Sequence, residues 1–419
     1  MDLGAEFADA GFKTILADPD QSNVKKLTKD RSGTSERGTE PKIRNAWRSG
    51  KLSATSDLRS AISQSGAIIF TTNPKIDEKK NIDQTEVDKF LKQIGMNMKR
   101  GTVIIYTGIA GLGFMENVVK EALVNASGLK LGEDFGLAYC PIQVAKKTPA
   151  SNFISNLELE VGANDRISLD SASAVLETIN KKKLHQVMNF KTAELARLFS
   201  AARWDVNRAL TNELAMLCEN ANMDYLEILR LSDSQVPKAA LTPGMGGENA
   251  DEVYLLLNNS EDSGTRLRVA RLARQTNEDM IKHVINLTQN ALRNCGRTLR
   301  RSRIALFGPT APGTIGEKYI KTLEARGART SSLDPQAKTS ERPTNSEKRK
   351  RSLVEAAEGS DCIVFLEGQE LPKTLSLKSL KTVMRSPSAI IDLSGSLEPE
   401  IVETEGFIYR GLGRGSRKK

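Results

Sequence analysis

The chain has 419 residues, more than a single hydrophobic core usually organises, so two or three domains are expected. Hydrophobic residues make up 39% and charged residues 27%, as in ordinary soluble proteins, and the longest apolar runs are far too short to span a bilayer. The four cysteines lack the spacing of a metal site or a disulfide framework, and no secretory leader pattern opens the chain. The sequence therefore predicts a cytoplasmic protein with no metal site and no membrane span.

The formal charge of +9 raises the question of nucleic-acid binding. Basic runs at residues 297–303, 348–351 and 417–419 supply much of the excess, and none is interleaved with aromatic residues that could stack on bases. We interpret these runs as solvated loops or tails, with a polyanion-binding patch as the alternative. Nucleic acid is not expected as a partner.

Short apolar runs alternate with amphipathic stretches over the first 190 residues, the pattern of a parallel sheet covered by helices. Strands are predicted at residues 13–17, 66–70, 102–105 and 137–139, and helices at 87–96 and 114–124. Asp18 follows the first of these strands, where a carboxylate in a dinucleotide-binding domain accepts both hydroxyl hydrogens of the adenosine ribose. Aspartate at a strand end is also common turn chemistry, so both interpretations of Asp18 stay open.

The middle of the chain is predicted to be helical. Apolar residues recur at three- and four-residue intervals from Lys191 to Asn222 with no proline or glycine, which predicts one long helix. A second helix is predicted at 263–293, and the region between the two is expected to be loop-like, with a glycine-rich segment at 243–247. Strands at 303–307, 362–366 and 389–392 then predict a second α/β domain. The predicted domains are 1–190, 191–295 and 296–419.

Several segments, in chain order, resemble the NAD-dependent nucleotide-sugar 6-dehydrogenases, the family of UDP-glucose and UDP-N-acetylmannosamine dehydrogenases. They are FADAGFKTILADPDQSNVKKL (7–27), LAYCP (137–141), TAELARLFSAARWDVNRALTNELA (192–215), PGMGG (243–247) and GFIYRGLGRG (406–415). The resemblance implies an α/β fold with two Rossmann-like parallel-sheet domains, joined by a long central helix and a helical middle domain. It also implies a homodimer formed through the helix at 191–222.

The family chemistry implied by the resemblance is a four-electron oxidation of a UDP-sugar C6 alcohol to a carboxylate, with NAD as cofactor and a cysteine that forms a thioester. In the family this cysteine follows Gly-Gly-His. Gly246 and Gly247 therefore correspond to the loop that contacts the nucleotide sugar, whereas Asn249 stands at the nucleophile position and has no comparable nucleophilicity. Arg197 corresponds to a lysine that stabilises oxyanion charge; a guanidinium supplies charge but cannot shuttle a proton near neutral pH.

Other family positions are also substituted. Gly108 corresponds to a threonine, Ile142 to a glutamate, Ala201 to an asparagine and Val253 to an aspartate, and none of the four can do acid/base work. On the cofactor side, the family opens with a strand and a G-x-G-x-x-G loop. The printed sequence begins inside the following helix, so the first strand and glycine loop are expected to be missing, through either true loss or a misassigned start. Asp18 then remains as the expected NAD contact.

These substitutions predict a nucleotide-sugar dehydrogenase family protein that does not perform the four-electron oxidation. One alternative is an active two-electron NAD-dependent oxidoreductase acting on a nucleotide sugar, because hydride transfer by itself needs no cysteine. The other is a non-catalytic scaffold or regulatory paralogue.

Overall fold

The structure is a computed structural model that describes residues 2–29, 40–77, 80–142, 154–232, 242–246, 250–311, 313–335, 352–366 and 375–415. The chain divides into two compact units. Unit 1 contains residues 1–202 and 251–266, and unit 2 contains residues 203–250 and 267–419. In both units strands alternate with helices, which confirms the predicted α/β class. The helices of the predicted middle segment are shared between the units.

Unit 1 opens with an alternation of helices and short strands. Its elements are α1 (Asp2–Asp9), β1 (Thr14–Ala17), α2 (Gln21–Lys29), α3 (Glu40–Arg48), β2 (Leu52–Thr55), α4 (Leu58–Ser63), β3 (Ala67–Phe70), β4 (Lys75–Ile76), β5 (Ile82–Asp83), α5 (Thr85–Asn97), β6 (Val103–Tyr106), a π-helical segment (Met115–Lys120) continuing into α6 (Glu121–Ser127), β7 (Gly136–Tyr139), a short 3₁₀ turn (Ile154–Asn156), β8 (Leu159–Gly162), α7 (Arg166–Glu177) and β9 (Leu184–Val187).

The sheet of unit 1 is less regular than the predicted parallel sheet. Five strands pair in the order β3-β6-β7-β8-β9, and the β7–β8 pair is antiparallel. Strands β1 and β2 form a separate parallel pair, and β4 and β5 an antiparallel hairpin. Strand β6 lies inside the sheet with Ile104, Ile105 and Tyr106 fully buried, whereas in the edge strand β3 only Phe70 is buried and residues 67–69 are at least partly exposed. Periodicity does not determine strand direction or neighbours, because those depend on long-range pairing.

A long helix, α8 (Phe190–Asn220), confirms the prediction for 191–222. The prediction of a loop-like region after it was wrong in part, because α9 (Tyr225–Leu231) and α10 (Ala250–Asp262) lie there. Asp224 caps α9 by accepting hydrogen bonds from the Leu226 and Glu227 N–H groups. The buried residues of α10 follow helical spacing, but the prolines and glycines that precede it in the sequence are typical of a loop, so this helix was not predicted. Helix α9 belongs to unit 2, and α10 belongs to unit 1 apart from its first residue, Ala250. Helix α8 is divided, because its residues up to Ala202 belong to unit 1 and the remainder to unit 2.

Unit 2 contains the second α/β domain. Its remaining elements are α11 (Arg268–Asn294), β10 (Arg303–Phe307), α12 (Ile315–Ala325), β11 (Arg329–Leu333), α13 (Leu353–Ala357), β12 (Cys362–Phe365), α14 (Leu377–Val383), β13 (Ala389–Asp392), α15 (Pro399–Thr404) and β14 (Ile408–Gly411). The strands are all parallel, in the order β11-β10-β12-β13-β14, and apolar clusters cover both faces of the sheet. Within the described ranges, no helix has the length and apolar character needed to cross a membrane.

Candidate active site

A glycine-rich loop, residues 107–114, follows β6 in unit 1. Its backbone is held by side chains: the Ile109 N–H donates to Asn73 Oδ1 at 2.8 Å, and the Leu112 N–H donates to Asn259 Oδ1 at 2.8 Å. A Cβ atom at Gly108 would lie 2.5 Å from Asn73 Oδ1 and 2.6 Å from the Tyr106 hydroxyl. The backbone and its partners therefore require glycine at 108, and the threonine of the family cannot fit here without displacing them.

Glu194 on α8 binds the backbone at the end of this loop. Its buried carboxylate accepts hydrogen bonds from the N–H groups of Gly113 at 2.6 Å and Met115 at 2.7 Å, at the start of the π-helical segment. Burial raises the pKa of the Glu194 carboxyl, although the two N–H donors oppose that shift. The N–H groups of Ile109, Leu112, Gly113 and Met115 are thus already engaged by side chains of the same chain.

Arg197 lies one turn after Glu194 and makes an ion pair with Glu252 of α10. Arg197 Nη2 is 2.7 Å from Glu252 Oε1, and the side chains are 18% and 3% exposed. A charge-assisted pair that is this close and this well shielded is stronger than a surface pair. The structure therefore places the predicted catalytic Arg197 against a carboxylate that neutralises it.

The other substituted family positions in unit 1 are apolar and packed. Val253 is 0% exposed and Ala201 is 1% exposed, while Ile142 packs against the main core of the unit. None of these side chains can hold or move a proton. A carboxylate at 253 would be fully desolvated.

Asp18 lies at the end of β1, as predicted, and is half-buried. One carboxylate oxygen accepts the Asp20 N–H at 2.8 Å, and the other accepts the Asn23 side-chain amide at 3.0 Å. These contacts are those of a turn. A carboxylate has further lone pairs, so the ribose contact with NAD stays a prediction. No hydrogen bond or ion pair of the described residues links Asp18 to Arg197.

Gly246 lies in unit 2, beside α8. A Cβ atom there would lie 2.7 Å from the guanidinium carbon of Arg208, so a larger residue at 246 would require the Arg208 side chain to move. The start of this loop is fixed by buried amides: the Gly244 N–H donates to Asn212 Oδ1 at 2.8 Å, and Asn212 Nδ2 donates to Asn277 Oδ1 at 2.9 Å. Sequence reasoning missed Asn212 and Asn277; polar residues on the buried faces of two long helices were the available signal.

Gly247 and Asn249, the other predicted residues of this loop, lie outside the described residues. In the part of the chain that the structure describes, no group of three or more His, Cys, Asp or Glu side chains could hold a metal ion. Unit 1 therefore contains amides, buried carboxylates and one neutralised guanidinium near its glycine-rich loop, and unit 2, described by itself, contains a glycine loop fixed by amides.

Comparisons with known proteins identify the ancestry of this arrangement. Residues 1–180 match the UDP-glucose/GDP-mannose dehydrogenase family, NAD binding domain, and residues 191–279 match the central domain of that family. The UDP-N-acetyl-D-mannosamine dehydrogenase of Methanocaldococcus jannaschii is 25% identical over 420 residues, which span 97% of this chain and 92% of the relative. The UDP-N-acetyl-D-glucosamine 6-dehydrogenase of Pseudomonas aeruginosa is 25% identical over 262 residues, covering 62% of each protein.

Solved structures show the same fold. The UDP-D-ManNAc dehydrogenase of Pyrococcus horikoshii superposes with a TM-score of 0.82 at 23% identity, covering 99% of this chain and 96% of the other. A UDP-glucose dehydrogenase from Pyrobaculum islandicum gives a TM-score of 0.78 at 17% identity, covering 98% and 94%. The chain belongs to the UDP-glucose/GDP-mannose dehydrogenase family of nucleotide-sugar oxidoreductases, in which NAD is the cofactor.

Proposed function

We propose that this chain binds a nucleotide sugar but does not carry out the four-electron oxidation of the sugar C6 alcohol. The observation that carries the proposal is the Arg197–Glu252 ion pair, 2.7 Å long and largely buried. The oxidation passes through intermediates with negative charge on oxygen, and a cation stabilises them only if its charge is available. A guanidinium paired with a buried carboxylate has little charge to offer.

The other substituted family positions support the same proposal. The position of the water-activating aspartate is the buried Val253, and the position of the oxyanion-binding asparagine is the buried Ala201. Asn249, at the nucleophile position, cannot form the thioester on which the second oxidation depends. Each of these losses typically costs about a hundredfold or more in rate. Together they leave no route to the uronate.

A two-electron oxidoreductase is the second candidate, and Asp18 is the observation that favours it. The carboxylate lies at the end of a parallel strand, where a dinucleotide ribose is held in this fold class. Transfer of one hydride from the C6 alcohol would give an aldehyde and needs no covalent intermediate. The binding of NAD and the formation of the aldehyde would distinguish this candidate from a non-catalytic scaffold.

We further infer that the chain forms a homodimer through α8. The apolar side chains of Leu210, Leu214 and Leu217 lie on one face of this helix and are 55%, 43% and 61% exposed. A stripe at this spacing fits a self-complementary two-fold interface. With four buried free cysteines and no disulfide, a reducing cytoplasm is the compartment we propose.

The experiment is to measure NADH and sugar products with UDP-N-acetylmannosamine and UDP-glucose, for the native chain and for Asn249→Cys. We expect both proteins to bind a nucleotide sugar in calorimetry and neither to form uronate, because the substitution leaves Arg197, Ala201 and Val253 unchanged. Two NADH per sugar, with uronate formation by the native chain, would refute the proposal. One NADH with an aldehyde product would favour the two-electron candidate, and absence of any binding would favour the scaffold.

A further inference from the structure

Two carboxylates occupy the two positively polarised positions at one end of the unit 1 sheet. Glu194 binds the backbone N–H groups of Gly113 and Met115, and Glu252 binds the guanidinium of Arg197 at 2.7 Å. Each position would otherwise attract an anion, the first through oriented N–H dipoles and the second through a full charge. The protein itself therefore supplies the anions that these positions bind.

This pair of carboxylates lies where ligands bind in parallel α/β sheets. The loop bonded to Glu194 directly follows the carboxyl end of β6, and Arg197 lies one turn after Glu194 on α8. In open α/β sheets ligands bind outside the carboxyl ends of the strands. Arg197 and Glu252 are thus placed at the ligand end of the sheet rather than in its core.

We propose that Glu252 is a specificity-determining residue, which neutralises Arg197 so that this end of the sheet accepts a neutral sugar group and excludes a carboxylate. The inference rests on the proposed nucleotide-sugar binding and deepens it. A ligand carboxylate must either displace Glu252 from Arg197 or lie beside a second negative charge, and both are unfavourable. A hydroxymethyl group is uncharged, so its binding requires neither the displacement of Glu252 nor the approach of two negative charges.

The side chains limit how the pair can respond to substitution. Glutamine at 252 keeps the length of the side chain and a carbonyl oxygen that Arg197 can still bind, but removes the negative charge. The guanidinium is then free to bind an incoming anion through a charge-assisted hydrogen bond. We expect the relative affinity for a carboxylate-bearing ligand to rise by about 10- to 100-fold.

UDP-glucose and UDP-glucuronate form a matched pair of probes, because they differ only in a C6 alcohol or carboxylate. Calorimetry with the native chain should find UDP-glucose bound at least about tenfold more tightly, a difference expected from one charged contact. In Glu252→Gln this preference should disappear or reverse. Asp251→Asn removes a neighbouring but exposed carboxylate of the same helix and should keep the native preference.

Equal binding of the two probes by the native chain, or an unchanged preference in Glu252→Gln, would overturn the inference. If Glu252→Gln does not fold, Arg197→Gln tests the same pair: it removes the cation and leaves Glu252 negative, so discrimination against UDP-glucuronate should increase. A merely structural ion pair would change the affinity for both probes by the same factor.

If neither probe binds, the proposed nucleotide-sugar binding is refuted. The neutralisation of Arg197 by Glu252 can then be tested separately. Inorganic phosphate should raise the Tm of Glu252→Gln more than it raises the Tm of the native chain or of Asp251→Asn, because only in that variant is the charge of Arg197 not neutralised by Glu252. Equal phosphate effects in the three proteins would contradict the role of Glu252.

Discussion

The buried ion pair between Asp205 and Arg274 in unit 2 provides a quantitative test of how the glycine loop that contains Gly244 and Gly246 is supported. Asp205 Oδ1 lies 2.7 Å from Arg274 Nη1, and the two side chains are 5% and 4% exposed. Asn277 donates to both the backbone oxygen and Oδ1 of Asp205 at 2.9 Å, and it also binds Asn212, which holds the Gly244 N–H. Removal of the Arg274 charge therefore affects both the ion pair and the hydrogen-bonded amides, Asn277 and Asn212, that hold the glycine loop.

Arg274→Met should lower the free energy of unfolding by about 3–5 kcal/mol, because it leaves the Asp205 carboxylate buried without its cation. At about 2–4 °C per kcal/mol for a unit of 150–250 residues, the Tm should fall by roughly 6–20 °C. Burial raises the pKa of the Asp205 carboxyl, even beside Arg274, so desolvation outweighs the attraction of the pair. The combined replacement Asp205→Leu with Arg274→Met should therefore cost less than Arg274→Met alone.

Urea unfolding of the native chain, both single variants and the double variant gives the coupling energy of the pair. The pH dependence supplies a second measurement. The protonated carboxyl is favoured in the folded state, so the contribution of Asp205 is greatest below its ordinary pKa of 3.8 and is lost as the pH rises through the higher folded value. This pH-dependent part of the free energy of unfolding should be absent from the double variant, which lacks Asp205. A cost below about 1 kcal/mol for Arg274→Met, or a double variant less stable than the single one, would refute the reasoning.

Two further predictions concern assembly and the cofactor. Leu210→Asp places a charge in the exposed apolar stripe of α8, so sedimentation should show a dimer for the native chain and weakened association for the variant; a native monomer would contradict the proposed interface. Calorimetry of the 419-residue chain should find NAD binding weaker than micromolar, because the carboxylate of Asp18, the expected NAD contact, already accepts the Asp20 N–H and the Asn23 side-chain amide, and each missing charge-assisted hydrogen bond is worth about 1.5–3 kcal/mol. Micromolar affinity would show that other backbone groups bind the pyrophosphate.

Local sequence pattern predicted those parts of the fold that depend on neighbouring residues. The unbroken apolar spacing of α8 predicted its length to within a few residues, and the strand at β1 placed Asp18 at a strand end. The motif around Gly246 identified this residue in the sequence. In the structure the Arg208 side chain lies where a Cβ atom at 246 would be, which is a physical reason for a small residue there. The helices α9 and α10 were missed because their short patterns are flanked by loop residues.

By itself the amino-acid sequence determined the α/β class, the family and the chemical identity of each substituted site residue, because these depend on local periodicity and on motifs in chain order. Tertiary structure decided what those residues can do. Arg197 and Glu252 are 55 positions apart, and Glu194 is 79 positions from Met115, so no local pattern could reveal that each positive position is filled by a carboxylate of the same chain. The strength of those contacts comes from burial, which removes competing water, and burial exists only once helices and strands distant in sequence have packed together.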